Sequence, residues 1–123
     1  MRLSDPVPGY SRPELKNLLV TVPAAKEIAW EPYRPGVEIY RLYGNGLDGP
    51  SAALLRYEAG SAVPLHEHSG YEHILVLAGA QEDQNGVIET GTLVINPPGT
   101  RHAVSSRSGC IVLVIYERPV RFL

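Results

Sequence analysis

Three histidines and one glutamate, His66, His68, Glu72 and His102, have the residue types and the spacing to surround a single metal ion. The first three fall in GSAVPLHEHSGYEHILVLAG, residues 60–79, and the fourth in GTLVINPPGTRHAVSS, residues 91–106. Side chains alternate faces along a strand, so His66 and His68, two residues apart, point the same way. Glu72 is an even step beyond His68, and Ser69 and Gly70 between them suit a bend that returns the carboxylate to that face. His73 follows Glu72 directly and is expected on the opposite face, away from the ion.

Three neutral imidazoles and a carboxylate make an N3O donor set that suits Fe(II), Mn(II), Ni(II), Co(II) or Zn(II), and the general order of affinities does not choose among them. Four protein ligands leave one or two positions open on a five- or six-coordinate ion, where water, dioxygen or a bidentate oxygen compound can bind. Glu72 lowers the positive charge of such a site, which favours retention of a divalent ion over capture of a strongly anionic ligand. Taken singly, each of the four reads more readily as a structural or solvated residue; their joint spacing makes the set. The remaining alternative is a barrel that has lost its metal and binds a small molecule directly. Arg56 and Arg101 flank the two motifs and could hold a substrate carboxylate, or else are solvated.

Strands must position these residues. Eleven prolines and twelve glycines cut the chain into short segments rich in β-branched, aromatic and leucine residues. Strands are expected near Asn17–Val22, Val37–Tyr43, Ser51–Tyr57, Tyr71–Ala78, Gly91–Ile95 and Cys110–Arg118. Shorter pairing segments are expected near Ser61–His66, Ala80–Asp83, Val87–Glu89 and His102–Ser105. Asn85 and Gly86 suit a type I′ turn. Along ILVLA, Ile74 and Val76 should share the face of Glu72, with Leu75 and Leu77 on the other. Gly60, Gly79, Gly91 and Gly99 read as turn formers with unusual backbone angles and not as a phosphate cradle.

A chain of 123 residues should bury roughly two-thirds of its unfolded surface, enough for one domain over residues 1–123, with residues 1–14 as an N-terminal arm. Hydrophobic content of 44% and charged content of 20% exclude a disordered chain as a whole. A net charge of −2 offers no attraction to nucleic acid or an anionic membrane, and neither is expected as a partner. The single cysteine, Cys110, precedes the apolar run IVLVIY and reads as a small buried hydrophobe. With no internal disulfide to form, no signal-like start and no apolar run of membrane-spanning length, the expected location is cytoplasmic.

The two motifs resemble those of the cupins. Gly60, His66, His68, Glu72 and Gly79 match the signature positions of the first motif, and Gly91, Pro97, Gly99 and His102 those of the second. The second motif often closes with Asn where this chain has Ser106, a departure that touches no ligand position. Residues 80–90 between the motifs are few, which implies a compact member. The resemblance implies an all-β fold, the cupin double-stranded β-helix or jelly-roll barrel of two antiparallel sheets, with His66, His68, Glu72 and His102 as ligands of one divalent transition metal. Within the family the wording is similar to the cupin domain of the anti-sigma factor ChrR, through WEPYRPGVEIYRLY, ALLRYEAGSAVPLHEHSGYEHILVLAG, INPPGTRHAVSS and GCIVLVIYE. Anti-sigma members carry an additional N-terminal helical, zinc-binding domain, for which this chain has no counterpart, so sigma-factor binding is not expected. Cupins of this size generally pair, and the N-terminal arm or the apolar tail VRFL could cover a sheet edge, so a homodimer is expected.

Three functions from different classes are compatible with such a barrel. The first is a metal-dependent enzyme, an Fe(II) dioxygenase or a lyase acting on a small oxygenated compound. The second is a non-catalytic metal or ligand sensor with a regulatory role. The third is a binding or structural module that uses the ion for stability alone. No paired carboxylate acid and base is evident, which weighs against a hydrolase.

Overall fold

The structure is a computed structural model that describes residues 13–19 and 28–123. It contains ten strands: β1 (Glu31–Arg34), β2 (Val37–Tyr43), β3 (Ser51–Tyr57), β4 (Ser61–Glu67), β5 (Glu72–Asp83), β6 (Gly86–Glu89), β7 (Leu93–Asn96), β8 (Arg101–Ser106), β9 (Cys110–Tyr116) and β10 (Arg121–Phe122). All pairings are antiparallel, in the order β1-β2-β3-β9-β5-β8-β4-β10, with β6 and β7 also paired to β5. The sheet curls into a barrel because β5 serves two faces. Its first half pairs with β9 and β7, and its second half with β6 and β8.

The change of face occurs at an irregularity between Val76 and Ala78 in the β5–β9 ladder. Such a bulge adds a residue to one strand, bends it and reverses the alternation beyond it. Gly79 lies just past it with a φ of 70°, packed against the backbone of Gly109 and Cys110. Any side chain there would collide, and only glycine takes that φ without strain. Gly60, Gly91 and Gly99 also have positive φ, as the sequence reading expects.

Two apolar clusters follow from the two faces. Val37, Ile39, Ala53, Leu55, Tyr57, Val63, Ile74, Val76, Val104, Val112 and Val114 fill the barrel interior. Leu54, Leu77 and Ile28 form an outer cluster, with Leu15, Leu18 and Trp30 laid against it. β3 is therefore covered on both sides, which explains why its residues are buried without alternation. Cys110 is buried and free, and burial pushes its thiol pKa up, so the reactive thiolate is disfavoured. Native protein should therefore leave Cys110 unmodified by a thiol reagent at neutral pH, with one equivalent titrating on denaturation; stoichiometric labelling of the folded protein would contradict this packing.

The strand expected at Asn17–Val22 is not found in its described part: Asn17 has a left-handed φ of 55° and Leu18–Leu19 are not extended. Residues 20–22 and most of the N-terminal arm lie outside the described residues. The 83–86 turn also differs from expectation. Asp83 pairs with Gly86, so the loop residues are Gln84 and Asn85, and the positive φ falls on Gly86 alone. A type I′ turn would need it on both loop residues; instead Asp83 Oδ1 accepts the Asn85 N–H at 2.8 Å. β1 was not expected and contains Pro32, tolerated because β1 is an edge strand. The apolar tail does cover a sheet edge, that of β4 in the same chain: Phe122 pairs with His66 and Arg121 with Glu67. Among the described residues, no helix is long and apolar enough to cross a membrane.

Candidate metal centre

His66 lies near the end of β4, His68 directly follows that strand, Glu72 opens β5 and His102 lies on β8. Two features bring them together. β4 pairs with β8 so that His66 faces His102, after an irregularity between Val63 and His66 that includes Pro64. Beyond β4, the His68 N–H donates to the Thr100 carbonyl at 2.9 Å and the Gly99 N–H to the His68 carbonyl at 2.8 Å, which ties the first motif to the PPGT turn of the second. The four side chains are buried, and one donor atom from each lies within 4.8 Å of the others. His73 is outside this group, on the outer face in a depression with Tyr71, Ile115 and Glu117.

Each imidazole is held by its Nδ1. His66 Nδ1 meets the Pro64 carbonyl at 2.8 Å, His68 Nδ1 the Thr100 hydroxyl at 2.9 Å and His102 Nδ1 the buried Asp83 carboxylate at 3.1 Å. These contacts fix ring orientation and place the ring proton on Nδ1, leaving the Nε2 lone pair free. The three rings meet edge to face, with centroids 4.6 to 5.3 Å apart. Asn96 Nδ2 donates to Glu72 Oε1 at 3.2 Å and steadies the carboxylate.

The donor atoms fit a metal ion. His68 Nε2 is buried and makes no hydrogen bond, although Glu72 Oε1 is only 3.0 Å away. Two atoms each about 2.1 Å from one ion and at right angles to each other are about 3.0 Å apart, so this separation fits two ligands of a single ion. His102 Nε2 is 3.9 Å from the same oxygen. Ligand atoms on one ion can be no more than about 4.2 Å apart, so the group must draw in by roughly half an ångström at its widest. Burial lowers the pKa of His66, which favours the neutral, ligating form. Burial raises that of Glu72, but His68 and the other two imidazoles outweigh it, and the carboxyl is held below its usual range.

Beside the four residues lies a cavity of about 50 Å³, lined by His66, Glu72 and His102 on one side and otherwise mainly by apolar residues of the barrel interior. Phe122 closes part of it, its ring centroid 5.5 Å from that of His66, with the Arg34 guanidinium carbon 3.9 Å over the Phe122 ring centroid. Arg56 and Arg101 do not reach this cavity lining: Arg56 pairs with Glu38 and stacks on Trp30, and Arg101 pairs with Glu67. The solvated reading holds for both. Residues that matter to the site without a site role in the sequence reading include Asp83, Thr100 and Asn96, which hold His102, His68 and Glu72, and Tyr57 and Gln81 in the cavity wall. Ser106, at the position where cupins often have Asn, donates its hydroxyl to the Ala80 carbonyl at 2.6 Å and ties β8 to β5.

Residues 20–120 match the model of the ChrR cupin-like domain. Over 73 residues the chain is 37% identical to the anti-sigma-E factor ChrR of Cereibacter sphaeroides, which covers 58% of this chain and 34% of that protein. The chain thus spans about a third of the length of that relative. The crystal structure of Rhodobacter sphaeroides SigE in complex with the anti-sigma ChrR superposes with a TM-score of 0.68 at 29% identity, over 76% of this chain and 51% of the other. An acetylacetone dioxygenase from Acinetobacter johnsonii superposes with a TM-score of 0.70 over 76% of this chain and 71% of the other; at 16% identity it shows the shared fold alone.

The ChrR complex corrects the expectation about partners. Sigma-factor binding is not expected from the sequence reading, yet the region that this chain matches belongs to a protein solved together with its sigma factor. That exclusion is withdrawn. A homodimer is likewise not shown by the single chain.

Proposed function

This chain belongs to the ChrR cupin-like domain family, and on that premise we propose that it holds one divalent transition metal through His66, His68, Glu72 and His102 and acts as a metal-dependent enzyme, a dioxygenase or lyase, on a small oxygenated compound. The observation that carries this reading is the orientation of the imidazoles: all three Nδ1 atoms are engaged, and the Nε2 atoms converge with Glu72 beside a cavity. A bound ion would supply Lewis-acid polarisation or a site for dioxygen. The chain's own residues orient the ligands, exclude bulk water through the apolar wall and limit what can enter. With about 50 Å³ of space, the cavity takes on the order of four water-sized groups, which restricts substrates to small molecules.

The test is turnover by protein loaded in turn with Fe(II), Mn(II), Ni(II), Co(II) and Zn(II), offered a panel of short diketones and hydroxy acids. Oxygen consumption or bond cleavage above the metal-free control supports the enzyme. Metal retention without turnover of any compound favours the second reading, a metal- or ligand-sensing module, for which the similarity to ChrR speaks.

The Asp83 contact yields a prediction of its own. Asp83→Asn keeps the shape but removes the charge that steadies His102, and losses of that kind cost about 10–100-fold in metal affinity. Competition against a chromophoric chelator should read a drop of that size with the fold intact. Unchanged affinity would mean that the 3.1 Å contact does not orient the ring.

A further inference from the structure

The cavity wall is largely apolar, with Ile39, Leu55, Val63, Val104 and Val114; besides the histidines and Glu72 its polar side chains are Tyr33, Tyr116 and a contacting pair, Tyr57 and Gln81. Both are almost wholly buried, with 4% and 1% of their surface exposed, and the Gln81 Oε1 atom makes no hydrogen bond. An unpaired carboxamide in a core is destabilising, and buried polar atoms are ordinarily satisfied. Leucine would fill the same volume without that cost. A retained, half-satisfied glutamine in a ligand cavity therefore points to a partner that arrives with the ligand.

The chemistry of that partner follows from hydrogen-bond bookkeeping. Tyr57 carries one O–H and an acceptor oxygen; Gln81 carries N–H donors and a carbonyl. If one amide N–H donates to the phenol oxygen, the Tyr57 O–H, the second amide N–H and the Gln81 carbonyl remain. If the amide is turned the other way, a phenol lone pair and both Gln81 N–H groups remain. In either orientation the pair keeps at least one donor and one acceptor, which a hydroxyl group can meet with its own lone pair and proton. Burial also drives the Tyr57 pKa far up, so the phenol is neutral, and a neutral pair in an apolar wall disfavours an ionised group.

We infer that Tyr57 and Gln81 are the specificity-determining pair of this site, selecting a short, metal-chelating oxygen compound that carries a further hydroxyl group. This rests on the metal-binding reading proposed above. It narrows the substrate class from small oxygenated compounds to hydroxylated ones and predicts discrimination against the deoxy analogue, because a methyl group there leaves the pair unsatisfied.

The probes are acetohydroxamate and 2-hydroxyacetohydroxamate, two chelators that differ by one hydroxyl. Titration calorimetry on the metal-loaded protein should show the hydroxylated compound binding at least tenfold more tightly. Gln81→Leu should erase that preference with one ion per chain retained, and Tyr57→Phe, which removes only an oxygen, should reduce it. Equal affinities in the wild type, or a preference that survives both substitutions, overturns the inference. Elemental analysis of the same samples separates the two levels: with one ion per chain and no preference, only this inference fails, whereas with no ion retained, the metal reading fails and takes this one with it. If Gln81→Leu does not fold, the Tyr57→Phe arm decides alone.

Discussion

His102→Ala is expected to abolish metal retention, from about one ion per chain to less than a tenth. Binding energies of about 10–16 kcal/mol for four-ligand structural zinc sites imply about 2.5–4 kcal/mol per ligand, on the order of a hundredfold or more in affinity. The remaining His66, His68 and Glu72 would also lose alignment, since the His102 ring is in edge contact with both other imidazoles. Truncation also strands the buried Asp83 carboxylate, so the variant is expected to be less stable even without metal. Glu72→Gln separates the two effects: it preserves volume and leaves the Asn96 contact an acceptor, while removing the charge. At an ion concentration a thousandfold above the dissociation constant, wild-type protein should gain about 4 kcal/mol, or roughly 15 °C in Tm. Neither variant should respond. A melting shift on metal addition that persists in both would place the ion elsewhere.

Acid should discharge the same site, and the signs can be worked out. Burial sets the folded pKa of His66 below its unfolded value, so between the two the unfolded chain holds more protons; stability from this group is complete above the unfolded pKa and falls as pH drops below it. Glu72, held below the usual carboxylate range, contributes above its unfolded pKa and loses that contribution as pH falls through its folded pKa. Both groups act in the same direction, and protons compete with the ion for both.

Much of this architecture is legible in the chain, for reasons that individual residues make plain. The limits of β2 and β3 match the reading at both ends because apolar and β-branched residues are bracketed by Gly36, Gly44, Pro50 and Gly60. His66, His68, Glu72 and His102 come together because even spacing, a bend and one ladder suffice to gather them. β1 escaped because EPYR has a proline where a strand signal is sought, and β10 because two residues carry no periodicity. The arginines illustrate a parity argument available from the start: Arg101 adjoins inward-facing His102, so it must face outward, where it meets Glu67. Asp83 and Gln81 were hidden by the bulge. Counting by twos from Glu72 puts odd-numbered residues outside, but the extra residue near Ala78 reverses the phase and turns Gln81 and Asp83 inward.

That reversal makes Gly79→Ala the second large expected effect. A β-carbon at this position would sit 2.1 Å from the Gly109 carbonyl oxygen and 3.0 Å from Cys110 Cα, both backbone atoms of the neighbouring segment. The φ of 70° adds about 1–2 kcal/mol of intrinsic strain, and displacing packed backbone about 1–3 kcal/mol more. The sum, about 2–5 kcal/mol, is a large part of the stability of an ordinary domain and corresponds to a Tm loss of roughly 10–20 °C. Gly99→Ala is the control: its φ is 86°, but no atom lies within 4 Å of the added carbon, so only the intrinsic strain of about 1–2 kcal/mol applies. Equal losses for the two in denaturant melts would show that backbone strain alone is at work and that the Gly109 contact relaxes freely. The unequal loss expected here would carry a functional mark as well. Pushing β5 away from Cys110 at Gly79 shifts the strand between Glu72 and its second half, so surviving folded protein should bind metal more weakly through Asp83 and His102 while Glu72, on the near side of the bulge, keeps its place.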